Sequence, residues 1–136
     1  MKSFQKILFL VLVVSLTNCS NSTAQQQAAQ TTNPALLAPD DFETKAAQAG
    51  TQLVDVRTPE EYQAGHIGNA LNINFRDADF KEKMDKLDKS KPVAVYCGVG
   101  GRSGKTVTLL NQLGFKTVYD LQGGITAWRA KGKKVN

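Results

Sequence analysis

The chain has 136 residues, a length that fits one domain with a single core. Its two cysteines and one histidine form no grouping with metal-ligand spacing, so no metal site is expected. The formal charge is +5, part of it from Lys2 and Lys6; the remaining lysines are scattered and aromatic residues are not interleaved with them, which argues against nucleic-acid binding.

Lys2 and Lys6 precede an apolar run, Ile7 to Leu16, broken only by Ser15. A permanent membrane helix needs about 20 apolar residues, and this run is too short. A basic start and a short apolar run are the pattern of a secretory signal. The run ends Leu16-Thr17-Asn18-Cys19, which resembles a bacterial lipoprotein signal. That resemblance implies loss of residues 1–18 as a signal peptide and acylation of Cys19. The product would be a lipoprotein of the cell envelope, anchored to the membrane and facing the periplasm. Ordinary secretion as a soluble periplasmic protein is the alternative. Ser20 to Asn33 has no periodic apolar face, so 19–35 reads as a lipidated cysteine and flexible tether. Residues 36–136 read as the domain.

Asp40 or Asp41 is placed to cap a helix reaching Ala49, with Gly50 ending it. Thr51 to Val56 reads as a strand with Asp55 near its end. Thr58-Pro59-Glu60-Glu61 is a capping box with proline at the first helical position, opening a helix to Ala64. Ala70 to Ile73 is a short strand. Asp77 to Leu87 is an amphipathic helix with Phe80, Met84 and Leu87 on one side. Val93 to Tyr96 is a buried strand, and Val107, Leu110 and Leu113 mark the helix that follows it. Thr117 to Leu121 is the last strand, and Gly123-Gly124 turns into a short helix carrying Trp128. Strands alternating with helices predict an α/β fold, a mostly parallel sheet with helices on both faces. Ligands of such sheets bind beyond the carboxyl ends of the strands, where Asp55, Cys97 and the Gln122-Gly123-Gly124 turn would gather.

The chemistry concentrates in Cys97-Gly98-Val99-Gly100-Gly101-Arg102-Ser103, between a strand and a helix. Such a loop aims backbone N–H groups at whatever sits above it, and glycines let it curl inward. A free thiol titrates near pH ~8.5. A helix terminus contributes roughly 0.3–1 kcal/mol, which moves a thiol by at most about one pH unit. The loop N–H groups and Arg102 must supply the rest. Ser103 is placed to cap the following helix.

This loop resembles the active-site loop of the rhodanese (sulfurtransferase) family. Leu53-Val54-Asp55-Val56-Arg57-Thr58-Pro59-Glu60-Glu61-Tyr62, Gly65-His66-Ile67-Gly68-Asn69-Ala70-Leu71-Asn72-Ile73 and Leu121-Gln122-Gly123-Gly124-Ile125-Thr126-Ala127-Trp128 resemble other motifs of that family, in family order. The resemblance implies a rhodanese-like five-stranded sheet and transfer of sulfur through a Cys97 persulfide. It implies a small anionic sulfur donor such as thiosulfate, or a persulfide or polysulfide, and a thiol or cyanide acceptor. It implies no cofactor, and the chain is expected to act as a monomer. N–H groups from Gly98 to Arg102 would hold the terminal sulfur, and Arg102 would steer the donor. Many bacterial members carry a basic residue after the cysteine; here it is Gly98, which removes a cation from the donor site.

Asp55 and Arg57 are read as supporting structural contacts at the strand end, with Arg57 pairing Glu60 or Glu61. His66 reads as a hydrogen-bonding structural residue and Trp128 as core. Two other function classes are weighed. A phosphatase or arsenate reductase of similar fold would carry one residue more between cysteine and arginine, and a general acid. A sulfur-carrier or redox-sensing module would use the same cysteine without turnover.

Overall fold

The computed structural model describes residues 34–136. The signal, Cys19 and most of the tether lie outside the described residues.

Five strands form one sheet: β1 (Ala35–Leu37), β2 (Gln52–Asp55), β3 (Leu71–Asn72), β4 (Val93–Tyr96) and β5 (Val118–Leu121). Their order is β1-β5-β4-β2-β3, and every pairing is parallel. β4 is the central strand and all four of its residues are buried, as its unbroken apolar run requires. The helices are α1 (Pro39–Ala46), α2 (Pro59–Gln63), α3 (Phe80–Asp85), α4 (Gly101–Gln112) and α5 (Gly124–Ala130). Phe80, Met84, Val107 and Leu110 of α3 and α4 pack with Val93 and Val95 on one face. Phe42, Ile125 and Trp128 of α1 and α5 pack with Ala94 and Tyr96 on the other. Alternate residues of β4 thus feed opposite cores.

Several boundaries differ from the sequence reading. The sheet begins at Ala35, which pairs with Tyr119 in a strand that three residues of weak pattern do not announce. Neither Asp40 nor Asp41 caps α1. Pro39 takes the first position, Ala38 precedes it without a side-chain cap, and the helix stops at Ala46. α3 starts only at Phe80, because Asp77 is held in the preceding turn by Asn74 Nδ2 at 2.7 Å and by Lys83 Nζ at 2.8 Å. The capping box of α2 forms as expected, with Thr58 and Glu61 satisfying each other's backbone N–H groups.

The connection after β2 leads outward to β3, whereas the connection after β4 leads the other way to β5. The chain therefore reverses between β2 and β4. A crevice opens there at the carboxyl ends, flanked by the loops that enter α2 and α4.

Candidate active site

Cys97 follows β4 at the floor of this crevice and is 1% exposed. The backbone turns at Gly100, whose φ of +108° suits glycine, and α4 starts at the next residue. This curl brings the Gly100 N–H to 3.1 Å from Cys97 Sγ. Burial pushes the thiol up. The Ser103 hydroxyl and the N–H groups of Ser103, Gly100 and Val99 outweigh it, so the thiol titrates below its ordinary value. The thiolate cradle is therefore made of main chain and one hydroxyl.

Ser103 is not the helix cap. Gly100 takes that position, and Ser103 lies fully buried in the first turn, its Oγ donating to Gly100 O at 3.2 Å. A residue one turn into the helix points its hydroxyl back over the N-terminus, which carries it to the sulfur.

Arg102 does not point freely into the crevice. Its guanidinium donates to both carboxylate oxygens of Glu61, each at 2.7 Å. The Arg102 guanidinium holds the Glu61 carboxyl down at about 2, against a smaller opposing effect of burial and with further help from the Thr58 N–H. This pair ties α2 to α4 across the crevice. It also corrects the expected pairing of Arg57 with Glu60 or Glu61. Arg57 instead turns back on Asp55, with Nη2 at 2.6 Å from Oδ2 and the backbone N–H at 2.9 Å from Oδ1. Its Nη2 also donates to Gly65 O at 2.8 Å. Asp55 and Arg57 are both buried, and they fix the chain between β2 and β3.

The loop is clamped from above by α5. The N–H groups of Ile125 and Thr126 donate to Cys97 O and Gly98 O at 2.9 and 3.1 Å. A Cβ on Gly124 would lie 2.5 Å from each of those oxygens, and the φ of Gly124 is +59°. Only glycine fits this close backbone approach.

Gly98 has an ordinary backbone. A Cβ there would lie 3.3 Å from Arg102 Nη2 and 3.9 Å from Glu61 Oε1, so the absent side chain would have stood beside the ion pair. Val99 is 72% exposed at the rim of the loop. His66 stacks on the Tyr62 ring at 3.9 Å and places Nδ1 3.2 Å from Tyr62 O, which fits its structural reading. A surface cavity of about 470 Å³ lies elsewhere, lined by Ala47, Thr51, Leu53 and Trp128 among others and by none of the cysteine loop.

Three residues of this site escaped the sequence reading. Glu61 was accounted for by its capping role, and its second partner lies 41 residues away. Gly124 was read as a turn residue. Asp120, buried on β5, carried one legible signal: period-two alternation places it on the same face as Val118, inside the core.

The rhodanese-like domain family model matches residues 38–131. The chain belongs to the rhodanese family. Thiosulfate sulfurtransferase GlpE of Coxiella burnetii is 42% identical over 78 residues, covering 57% of this chain and 71% of that protein. A tRNA uridine(34) hydroxylase of onion yellows phytoplasma is 38% identical over 98 residues, 69% of this chain but only 32% of the hydroxylase. Among solved structures, a rhodanese-related protein of Thermoplasma volcanium superposes with a TM-score of 0.66 at 32% identity, covering 75% of this chain and 97% of that one. The rhodanese α/β fold read from the motifs is the fold observed. At the level of the family, sulfurtransferase chemistry is the supported activity.

Proposed function

We propose that this rhodanese domain transfers a sulfane sulfur through a persulfide on Cys97. The observation that carries the reading is the cradle around Cys97 Sγ, with the Gly100 N–H at 3.1 Å and further donors from Val99 and Ser103. Such donors stabilise a thiolate, and they suit the anionic outer sulfur of a persulfide equally. In the first step the Cys97 thiolate attacks the outer sulfur of the donor. The bond between that sulfur and the rest of the donor breaks, and its electron pair leaves with sulfite when the donor is thiosulfate. In the second step a thiolate or cyanide attacks the outer sulfur of the persulfide, and Cys97 leaves as thiolate. No net oxidation occurs.

Only four residues separate Cys97 from Arg102, a span that supports a cradle for one sulfur atom over one for a phosphoryl group. The donor side is weakly cationic, because Glu61 neutralises Arg102 and Gly98 brings no charge. With Val99 at the rim, this favours a persulfide or polysulfide donor over thiosulfate.

The signal-like segment supports placing the domain in the cell envelope on a lipid anchor at Cys19, acting as a monomer beside the bilayer. In that setting Cys97 has no resolving thiol within its own chain.

Thiocyanate formed per Cys97 from thiosulfate and cyanide tests the reading. Many turnovers are expected of the enzyme. A yield of about one per Cys97 would replace the enzyme by a sulfur carrier.

A further inference from the structure

Asp120 has no part in the mechanism above, yet it is 6% exposed and its Oδ1 has no hydrogen-bond partner. Such a carboxyl calls for an account. On β5 it shares a face with Val118 and sits in register with Val95 of β4, two residues before Cys97. The first turn of α4 covers this face. Ser103, fully buried in that turn, bonds through its hydroxyl to the Cys97 sulfur and to the Asp120 carboxyl. A hydroxyl has one proton and two lone pairs, so it donates to one neighbour at a time.

We propose that Asp120 is a positioning residue for Cys97, acting through Ser103. When Asp120 is protonated it donates to Ser103 Oγ, and the Ser103 proton is directed to the sulfur. When Asp120 is ionised it takes the Ser103 proton as a hydrogen bond, and the thiolate loses a donor and gains a like charge nearby. No covalent bond to sulfur changes; only the direction of two hydrogen bonds reverses. The two anionic states therefore oppose each other, and Asp120 sets how readily Cys97 ionises.

The surroundings leave this coupling intact. Burial pushes the Asp120 carboxyl up, against the Ser103 hydroxyl and the Leu121 N–H, so the protonated form persists above the ordinary carboxylate range. The other charged groups at this end of the sheet are Arg102 on α4, Glu61 on α2 and the Asp55–Arg57 pair after β2, and these are paired with one another. β1, on the other side of β5, carries no charged residue. α5 supplies none in its first turn.

The inference rests on Cys97 as the working thiol, but its readout is sulfur ionisation, so it can fail while sulfur transfer stands. The test is a thiolate absorbance titration of the full chain carrying Cys19→Ser, with the Cys97→Ser spectrum subtracted. In Asp120→Asn the amide donates permanently to Ser103 Oγ, and the Cys97 midpoint is expected to fall by about one pH unit. In a Ser103→Ala background the same substitution should move the midpoint by less than about a third of that. Equal shifts in both backgrounds, or none in either, would overturn the proposal. A second measurement needs no Asp120 variant: the Asp120 carboxyl carbon is titrated by NMR with and without Cys97→Ser. Removing the sulfur charge should lower the Asp120 midpoint, and coincident midpoints would overturn the coupling even where Asp120→Asn fails to fold.

Discussion

Glu61 and Arg102 share two hydrogen bonds of 2.7 Å across the crevice, so the arginine of the cysteine loop is neutralised in place. Arg102 thereby becomes a strut as well as a charge. Its orientation is set by α2, and α2 is set by the capping box and by the buried Asp55–Arg57 pair.

Glu61→Gln should weaken this strut in a pH-dependent way. The Glu61 carboxyl is lowered from 4.5 to about 2. A depressed carboxylate contributes its stability above the unfolded value and loses it as pH falls through the folded one. The difference between wild type and variant should be full above pH 4.5 and vanish towards pH 2. Glu61 is 39% exposed, so screening holds the contribution to about 1 kcal/mol. Urea unfolding at several pH values measures it, and a difference that grows on acidification would contradict the pairing.

Gly124→Ala should damage the site from outside the loop. The new Cβ meets Cys97 O and Gly98 O at 2.5 Å from a residue with φ of +59°, so the loop or α5 must move. A loss of about 2 kcal/mol or more is expected, with the Cys97 titration displaced upward as the N–H cradle opens. Thermal unfolding and thiol titration report the two effects, and an unperturbed thiol would separate the clamp from the cradle.

Gly98→Arg should make thiosulfate a better donor. The backbone accepts a side chain there, and the new guanidinium would stand beside Glu61 and Arg102. An added cation that is partly exposed contributes roughly 1 kcal/mol, a several-fold fall in KM. An unchanged KM would show that charge at this position does not limit donor binding.

What the sequence made legible divides by range. The Thr58-to-Glu61 box, the β4 run and the cysteine loop are local patterns, and each formed where the pattern lies. β1 was invisible because its stability comes from pairing with β5 rather than from its own three residues. The partners of Arg57 and Arg102 were misassigned for a related reason. Charge pairing over short spacing is easy to write down, whereas the reversal between β2 and β4 brings Glu61 to Arg102. Ser103 looked like a cap because serine favours that position, but Gly100 alone could take the left-handed turn there.

The proposed anchor makes its own prediction. Labelled fatty acid should be incorporated into the wild type and be lost in Cys19→Ala. Unlabelled full-length wild-type protein that keeps residues 1–18 and stays soluble would remove the lipoprotein reading.

The central claim is that Cys97 carries the sulfur. Intact-mass spectrometry of the full-length chain carrying Cys19→Ser, before and after incubation with a persulfide or thiosulfate donor, tests it directly. One added sulfur atom on that protein, released by cyanide and absent once Cys97→Ser is also introduced, is the expected result. Sulfur of the same yield in the protein lacking Cys97 would contradict the account.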